Sequence, residues 1–176
     1  MSLSAVYVAD TGHVVGALTL TGADASTDVA ALVGRALPVR VSLGAGRTVS
    51  LPLPDRRLAV VAADDEPGAL AEPLAFGVEV TPDSKPKPTL VRLKSWVKGL
   101  SLAKDGLTVT LPFATDRVTP VVALISDDQD THVLAGVIAS GGTQVTLPVT
   151  LSAGDEHGLL VLVAGWAGRL TKEAVR

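Results

Sequence analysis

The stretch that decides the fold is TVSLP at residues 48–52, which returns as TVTLP at residues 108–112 and as QVTLP at residues 144–148. Side chains alternate between two faces along a β-strand, so the Val and the Leu of each copy point to one face. The closing Pro has no N–H to donate, so it ends the pairing or lies at the edge of a sheet. Each copy is therefore predicted to be a short strand that carries its own stop signal.

The repetition extends downstream of the first two copies. Three further pairs match: Asp55-Arg56 with Asp116-Arg117, Val60-Val61-Ala62 with Val121-Val122-Ala123, and Asp64-Asp65 with Asp127-Asp128. Repetition on this scale is typical of a chain built from related structural units. We expect two related halves that arose by internal duplication, residues 1–81 and 89–176. Between them, residues 82–88 hold three prolines and two lysines and are predicted to form an extended, polar linker.

The composition favours β-structure over helix. Apolar residues make up 47% of the 176 residues but aromatic residues only 3%, so Val, Leu and Ala must form the core. The 17 Gly and 11 Pro are spread along the chain and favour many turns between short strands. Regular spacing of such strands predicts an all-β protein, either a β-sandwich or a barrel-like fold. We predict strands at residues 6–8, 14–20, 39–43, 47–51, 58–63, 74–81, 107–111, 121–126, 133–139, 143–149 and 159–164.

One segment has a helical pattern instead. Residues 26–37 begin with side chains that cap helices, continue with apolar residues at helical spacing and end before Pro38. This pattern predicts one short helix. Residues 90–98 are ambiguous, because their alternation predicts a strand while a second set of apolar positions fits a helix. Gly99 follows directly and the rest of that half is predicted to be strands, so we favour a strand there.

Charge and residue usage narrow the classes of protein that this sequence fits. The formal net charge of −3 gives no overall basic field of the kind that binds nucleic acid. There is no Cys, which excludes disulfides and thiolate chemistry. The first residues lack the pattern of a signal peptide, and no apolar run approaches the roughly 20 residues of a membrane span. We therefore expect a soluble protein, made in the cytoplasm without a signal peptide, that makes no membrane contact and is free to join a particle.

A basic stripe is the first candidate binding surface. Residues 84–104 contain six Lys and Arg residues and no acidic residue, with Trp96 among them. Cations beside an indole suit an acidic partner. A lysine-bearing edge strand that blocks pairing between sheets is the competing interpretation, and nucleic-acid binding is the least favoured. We assign the predicted interface to Arg92, Lys94, Trp96 and Lys98.

Acidic loops after matching strands are the second candidate site. Asp64 and Asp65 follow one strand, and Asp127, Asp128 and Asp130 follow its counterpart. Clustered carboxylates can bind Ca²⁺, which takes about six to eight oxygen ligands, so these five residues are the candidate metal ligands. Neither loop has the spacing of an EF-hand, and solvated turns rich in Asp are the competing interpretation. Ca²⁺ is the one cofactor that the sequence suggests, and we otherwise predict none.

The histidines are the third candidate. His13 and His132 each follow an acidic turn and open a strand, and His157 follows two acidic residues. An Asp beside a His can serve a metal ion or act as a general base. No third ligand, nucleophile or familiar catalytic motif accompanies them. We therefore assign no catalytic residue and predict that the protein is not an enzyme; an enzyme with dispersed catalytic residues, centred on His13 or His132, is the third hypothesis.

These features together favour a structural or interaction protein. A cysteine-free, repetitive chain with one polarised basic stripe suits a rigid β scaffold that docks to other subunits of a larger assembly, such as a virion or a phage-tail-like particle. Its partners would then be protein subunits, in a homo-oligomer or a hetero-oligomer. The second hypothesis is a β module that binds calcium or a small ligand through the paired acidic loops.

Overall fold

A computed structural model describes residues 2–127 and 129–176 of the chain. Within these residues there are fourteen β-strands and two short α-helices, which confirms the predicted all-β class. The strands form several separate sheets, and none of the sheets in this described part closes into a barrel. No helix found in the same residues is long and apolar enough to cross a membrane.

The elements follow one another closely along the chain. The first half of the sequence contains β1 (Ser2–Val8), β2 (Val14–Leu20), α1 (Val29–Val33), β3 (Ala36–Gly44), β4 (Arg47–Pro54), β5 (Leu58–Ala63), α2 (Pro67–Ala71), β6 (Phe76–Val80) and β7 (Pro86–Arg92). The second half contains β8 (Leu100–Ala103), β9 (Gly106–Thr110), β10 (Thr119–Ser126), β11 (Thr131–Ile138), β12 (Gln144–Pro148), β13 (Glu156–Val163) and β14 (Arg169–Ala174).

The chain divides into two compact units that are not continuous in sequence. The first unit comprises the residues up to Leu37, Leu53–Ser95 and Gly165–Gly168, and the second comprises Pro38–Pro52, Trp96–Ala164 and Arg169–Arg176. These units differ from the predicted ranges 1–81 and 89–176, because most of the β3–β4 hairpin falls in the second unit and the β13–β14 loop falls in the first. The duplication itself stays a prediction.

The first unit is built on a three-stranded antiparallel sheet in the order β2-β1-β5. Its central strand β1 is buried along almost its whole length, as expected for the middle strand of a covered sheet. The β6–β7 hairpin is tied to this sheet by main-chain hydrogen bonds, among them the bond from the Asp64 N–H to the Pro88 carbonyl. The apolar core of the unit consists of Leu3, Ala5, Tyr7, Val14, Val61, Ala69, Phe76, Val78 and Leu90.

The second unit is built on a four-stranded sheet in the order β11-β10-β13-β14. Its two central strands are buried along almost their whole length, and Val, Leu and Ile supply most of the buried residues. The strand registers show which face of the sheet each residue position lies on. Gly158 pairs with Ser126, and Gly136 pairs with Val121. Because Ser126 and Val121 are an odd number of residues apart on β10, Gly158 and Gly136 face opposite sides of the sheet.

Both of these faces are covered within the second unit. A Cβ added to Gly158 would collide with the side chains of Val41 and Val49, so the β3–β4 hairpin covers one face. A Cβ added to Gly136 would meet the side chain of Leu147 at 2.5 Å, so β12 covers the other. Since β12 belongs to the three-stranded sheet β12-β9-β8, the central strand pair lies between two β layers.

The repeated pentapeptide forms strands as predicted. Val49 and Leu51 on β4, Val109 on β9 and Leu147 on β12 are at most 3% exposed, so the repeat supplies core side chains. The second and third copies pair with each other, with Val109 opposite Val145.

The predicted stop signal holds in one copy and fails in another. Pro148 ends β12, whereas Pro52 does not end β4, which continues to Pro54. Among the described residues β4 pairs only with β3, in a two-stranded sheet, so a Pro on the side of β4 that faces away from β3 removes no ladder bond.

The stretch predicted to be a linker, residues 82–88, is the turn of the β6–β7 hairpin and the beginning of β7. Val80 pairs with Pro86 across this turn. The Thr81 N–H donates to the Lys85 carbonyl at 2.8 Å, and Ser84 adopts a left-handed φ of 59°. These residues therefore lie inside the first unit.

The helix predicted for residues 26–37 is shorter than expected. The Asp28 carboxylate caps α1 by accepting the Ala30 N–H at 2.9 Å, as predicted for a capping residue. Gly34 ends the helix with a left-handed φ of 73°, and β3 then begins at Ala36. The sequence also did not predict α2, or that β7 stops at Arg92 and leaves most of residues 90–98 outside a strand.

We predict that Gly158→Ala destabilises the protein by about 1–3 kcal/mol, because an added methyl overpacks the contact with Val41 and Val49. Gly16→Ala is the matched control, since its Cβ would meet Leu37 at an ordinary 3.7 Å and should change stability by no more than about 0.5 kcal/mol. Equilibrium urea unfolding measures both changes. Equal stabilities for the two variants would contradict the proposed layer over this face.

Candidate functional site

The best-defined charged surface lies where β7 ends in the first unit. Arg92 and Lys94 are exposed, whereas Leu93 between them is partly buried, as alternation along an extended chain requires. Main-chain hydrogen bonds fix this segment. The Leu93 N–H donates to the Ala75 carbonyl at 2.8 Å, and the Lys94 carbonyl accepts the Ala167 N–H at 2.7 Å.

Both exposed cations lie over aromatic rings. The Arg92 guanidinium is 5.5 Å from the centroid of Phe76, which is opposite it in the β6–β7 register. The Lys94 Nζ is 5.5 Å from the ring of Trp166. Each such contact is worth roughly 0.5–1 kcal/mol at an exposed site. Because both rings are buried, they hold the two cations in defined positions on the surface.

Carboxylates from other elements neutralise part of the basic stretch. Arg92 pairs with Glu72 at 3.4 Å and Lys87 pairs with Glu79 at 2.9 Å, all through exposed side chains. Exposed ion pairs of this kind contribute only about 0–1 kcal/mol, but they remove local net charge. Lys94 has no carboxylate partner among the described residues, so it is the principal free positive charge at the end of β7.

The predicted interface residues are divided between the two units. Arg92 and Lys94 belong to the first unit, and Trp96 and Lys98 belong to the second. Trp96 is 6% exposed and has the Arg169 guanidinium 5.0 Å from its ring centroid, so its indole packs inside the second unit instead of forming surface. Lys98 is exposed.

The predicted metal ligands are divided in the same way. Asp64 lies in the first unit, where its carboxylate accepts the Thr89 hydroxyl at 3.0 Å. Asp65 is exposed beside it, and both border an open depression at that end of the unit. Among the described residues no three His, Asp or Glu side chains are grouped so that they could hold a metal ion.

Asp127 is part of a structured turn in the second unit. Its Oδ1 accepts the N–H groups of Gln129 at 2.8 Å and Asp130 at 2.7 Å, and these bonds lower the pKa of its carboxyl. Its Oδ2 lies 3.5 Å from Nε2 of the buried His157. Asp128 lies outside the described residues. Two of the carboxylate's acceptor positions therefore serve the turn itself, and calcium binding by these loops stays a prediction.

His13 is fully buried in the first unit, and both of its ring nitrogens are occupied. Its Nε2 lies 2.6 Å from the Trp166 carbonyl oxygen and its Nδ1 lies 2.8 Å from the Thr11 hydroxyl. A carbonyl can only accept, so Nε2 carries the proton and Nδ1 accepts from Thr11. Burial lowers the pKa of His13 from 6.5 to about 4, although the bond to Trp166 opposes the shift. The ring therefore acts as a neutral cross-link between the β1–β2 turn and residues 165–168.

His132, the other histidine considered for catalysis, is partly buried on β11 opposite Ile125. It belongs to the second unit, so it and His13 are in different units. The aromatic supports Phe76 and Trp166 had no signal as part of a charged site in the sequence, because hairpin register and a distant loop bring them to Arg92 and Lys94.

No protein-family model matches this chain, and no characterised protein or solved structure shows significant similarity to it.

We predict that acid weakens the fold through His13. The unfolded chain takes up a proton near pH 6.5, whereas the folded chain resists it until about pH 4. The stabilisation is complete above pH 6.5 and is lost as the pH falls towards 4, by about 3 kcal/mol in all. Chemical unfolding from pH 7 to pH 4 measures the loss.

His13→Gln should be less stable at pH 7 but should lack this part of the pH dependence, since its amide does not titrate. His132→Gln, which makes the same substitution at a histidine of the second unit, is the matched control. Identical pH profiles for wild type and His13→Gln would contradict the assignment. The lowered pKa of Asp127 affects stability only below the ordinary carboxyl value of 3.8, which lies outside the measured window.

Proposed function

We propose that the protein is a structural or interaction protein, a rigid β scaffold that docks to acidic surfaces on other subunits of a larger assembly. The observation that carries the proposal is the pair of exposed cations, Arg92 and Lys94, held over the buried rings of Phe76 and Trp166. Main-chain bonds on both sides of Lys94 fix the backbone beneath this surface.

Fixed cations suit docking for an energetic reason. Ordering a flexible Lys or Arg side chain at an interface costs about 0.5–1.5 kcal/mol each. At the end of β7 the rings already restrict the two side chains before any partner binds. A partner that offers carboxylates would therefore gain charge-assisted hydrogen bonds at reduced entropic cost.

The chemistry of the site also favours an acidic protein surface over a small anion. Arg92 already has Glu72 beside it, so the site lacks the closed ring of cations that holds a free phosphate. A broad partner can contact Lys94 and replace Glu72 at Arg92 in the same encounter. Such contacts speed association and give specificity more than affinity.

We predict that Lys94→Glu reduces recovery of the partner from the native host by roughly tenfold, since reversing one interface charge costs on the order of 1.4 kcal/mol. The full chain is tagged, purified at low salt and analysed by light scattering and mass spectrometry. The wild type should elute in complexes heavier than its own 17.9 kDa, and salt should dissociate them.

Lys85→Glu is the matched control. It makes the same charge change in the same hairpin, roughly 30 Å from Lys94 along an extended chain, and should leave recovery of the partner unchanged. A wild-type chain that is strictly monomeric and co-purifies with nothing would contradict the proposal. So would full recovery of the partner by Lys94→Glu.

A further inference from the structure

The strand β11 is an edge strand of the four-stranded sheet in the second unit. It pairs with β10 over its whole length, from Thr119 opposite Ile138 to Ser126 opposite Thr131, without a bulge or a shift of register. Among the described residues no other strand pairs with it. It therefore presents a regular row of main-chain groups along one open side.

The turn before β11 shows which main-chain groups these are. The Asp127 N–H donates to the Asp130 carbonyl at 3.1 Å, so residue 130 directs its main chain towards β10. Because this direction alternates along an antiparallel pair, the even-numbered residues of β11 bond to β10 and the odd-numbered residues face the open side. The outward N–H and C=O groups belong to Thr131, Val133, Ala135 and Val137.

The side chains of β11 offer no protection for this edge. The strand reads THVLAGVI and contains no Lys, Arg, Asp, Glu or Pro. The outward-facing residues also share one face of the sheet, where Val137 is 54% exposed. Charged side chains, prolines or bulges normally guard an open edge against pairing with another chain.

The opposite edge of the same sheet is guarded. β14 carries Arg169, Lys172 and Glu173, and just beyond its end the Arg176 N–H donates to the Leu102 carbonyl at 3.0 Å. One sheet thus has one charged edge and one neutral, apolar edge. Of the two edges, the β11 edge is therefore the one that can pair with a further strand.

We propose that the occupant is β11 of a second copy of this chain, paired antiparallel about a two-fold axis so that two four-stranded sheets join into one. The proposal rests on the proposed function, for which it names one partner subunit, but it concerns a different surface from Lys94. A neutral edge complements a neutral strand, and the acidic partner of the cationic site would be a poor match for it.

The strand is complementary to itself in one register. With the axis at Leu134, Val133 lies opposite Ala135 and Thr131 lies opposite Val137, and all four carry outward main-chain groups. Each of these pairs can exchange the N–H···O bonds of an antiparallel ladder. On that face the pairs are β-branched or small, which suits cross-strand packing. On the other face, His132 of one copy lies opposite Gly136 of the second copy, which has no side chain to clash with the imidazole ring across the strands.

The test is sedimentation equilibrium on the purified chain alone, from micromolar concentrations up to about 1 mM, a range that detects weak and moderate dimers. The wild type should form a dimer. Val137→Lys should weaken it by roughly tenfold or more, because edge lysines oppose pairing. Val80→Lys on β6 changes a residue of similar exposure, 49%, and should dimerise like the wild type.

Ala135→Pro is a second test, since it removes an outward N–H and no bond to β10. It should abolish the dimer, and urea unfolding would show whether it folds; Val137→Lys decides the question if it does not. A wild type that stays monomeric to the highest concentration, or a Val137→Lys variant that dimerises like the wild type, would overturn the inference. If Lys94→Glu still loses its host partner in that case, the proposed function survives and only the β11 pairing fails.

Discussion

The second unit depends on the hydrogen-bonded pairing of β10 with β13. Only 3% of the residues are aromatic, so few large rings are present to fill a core. Val, Leu and Ile on these two strands supply that volume instead, and they are buried on both faces of the sheet. A strand buried on both faces needs a layer above and a layer below, which is why the β3–β4 hairpin and the sheet containing β12 lie where they do.

The first unit connects its strands in a similar order, but its sheet has three strands instead of four. β5 pairs with β1, and β1 pairs with β2, just as β10 pairs with β13 and β13 with β14. In each unit, a strand from the repeated sequence, β5 or β10, pairs with one strand of a hairpin. The β1–β2 hairpin precedes β5 in the first unit, whereas the β13–β14 hairpin follows β10 in the second, so the two arrangements do not coincide in linear sequence order.

Local sequence accounts for most of the strands and for few of their ends. Residues 14–20 were predicted as a strand and form β2 with the same limits, because the alternation is local and the Gly12 turn precedes it. Residues 82–88 were predicted to be a linker from their composition, but their place in the β6–β7 turn depends on the pairing of Val80 with Pro86, which composition does not reveal. The helix was predicted too long because Gly34 adopts a left-handed conformation and the apolar pattern beyond it belongs to β3.

The candidate site was predictable only in part for the same reason. Alternation along the extended chain correctly exposes Arg92 and Lys94, but the strand β7 ends at Arg92, and the pattern no longer applies at Trp96, whose ring is buried. The aromatic supports and the carboxylate partners of the cations come from other elements of the fold. Such pairs are set by register and by loop position, which a single sequence does not encode in any short window.

Native-state hydrogen exchange tests most directly whether the β10–β13 pair underlies the fold of the second unit. If it does, the amides shared by these two strands exchange only through global unfolding, with a free energy equal to that measured by urea, while amides of β8 and of the β3–β4 hairpin exchange through smaller openings. The contrary result is exchange of the β10 and β13 amides through local openings while either covering layer stays protected. That result would mean that the covering layers fold without the central pair.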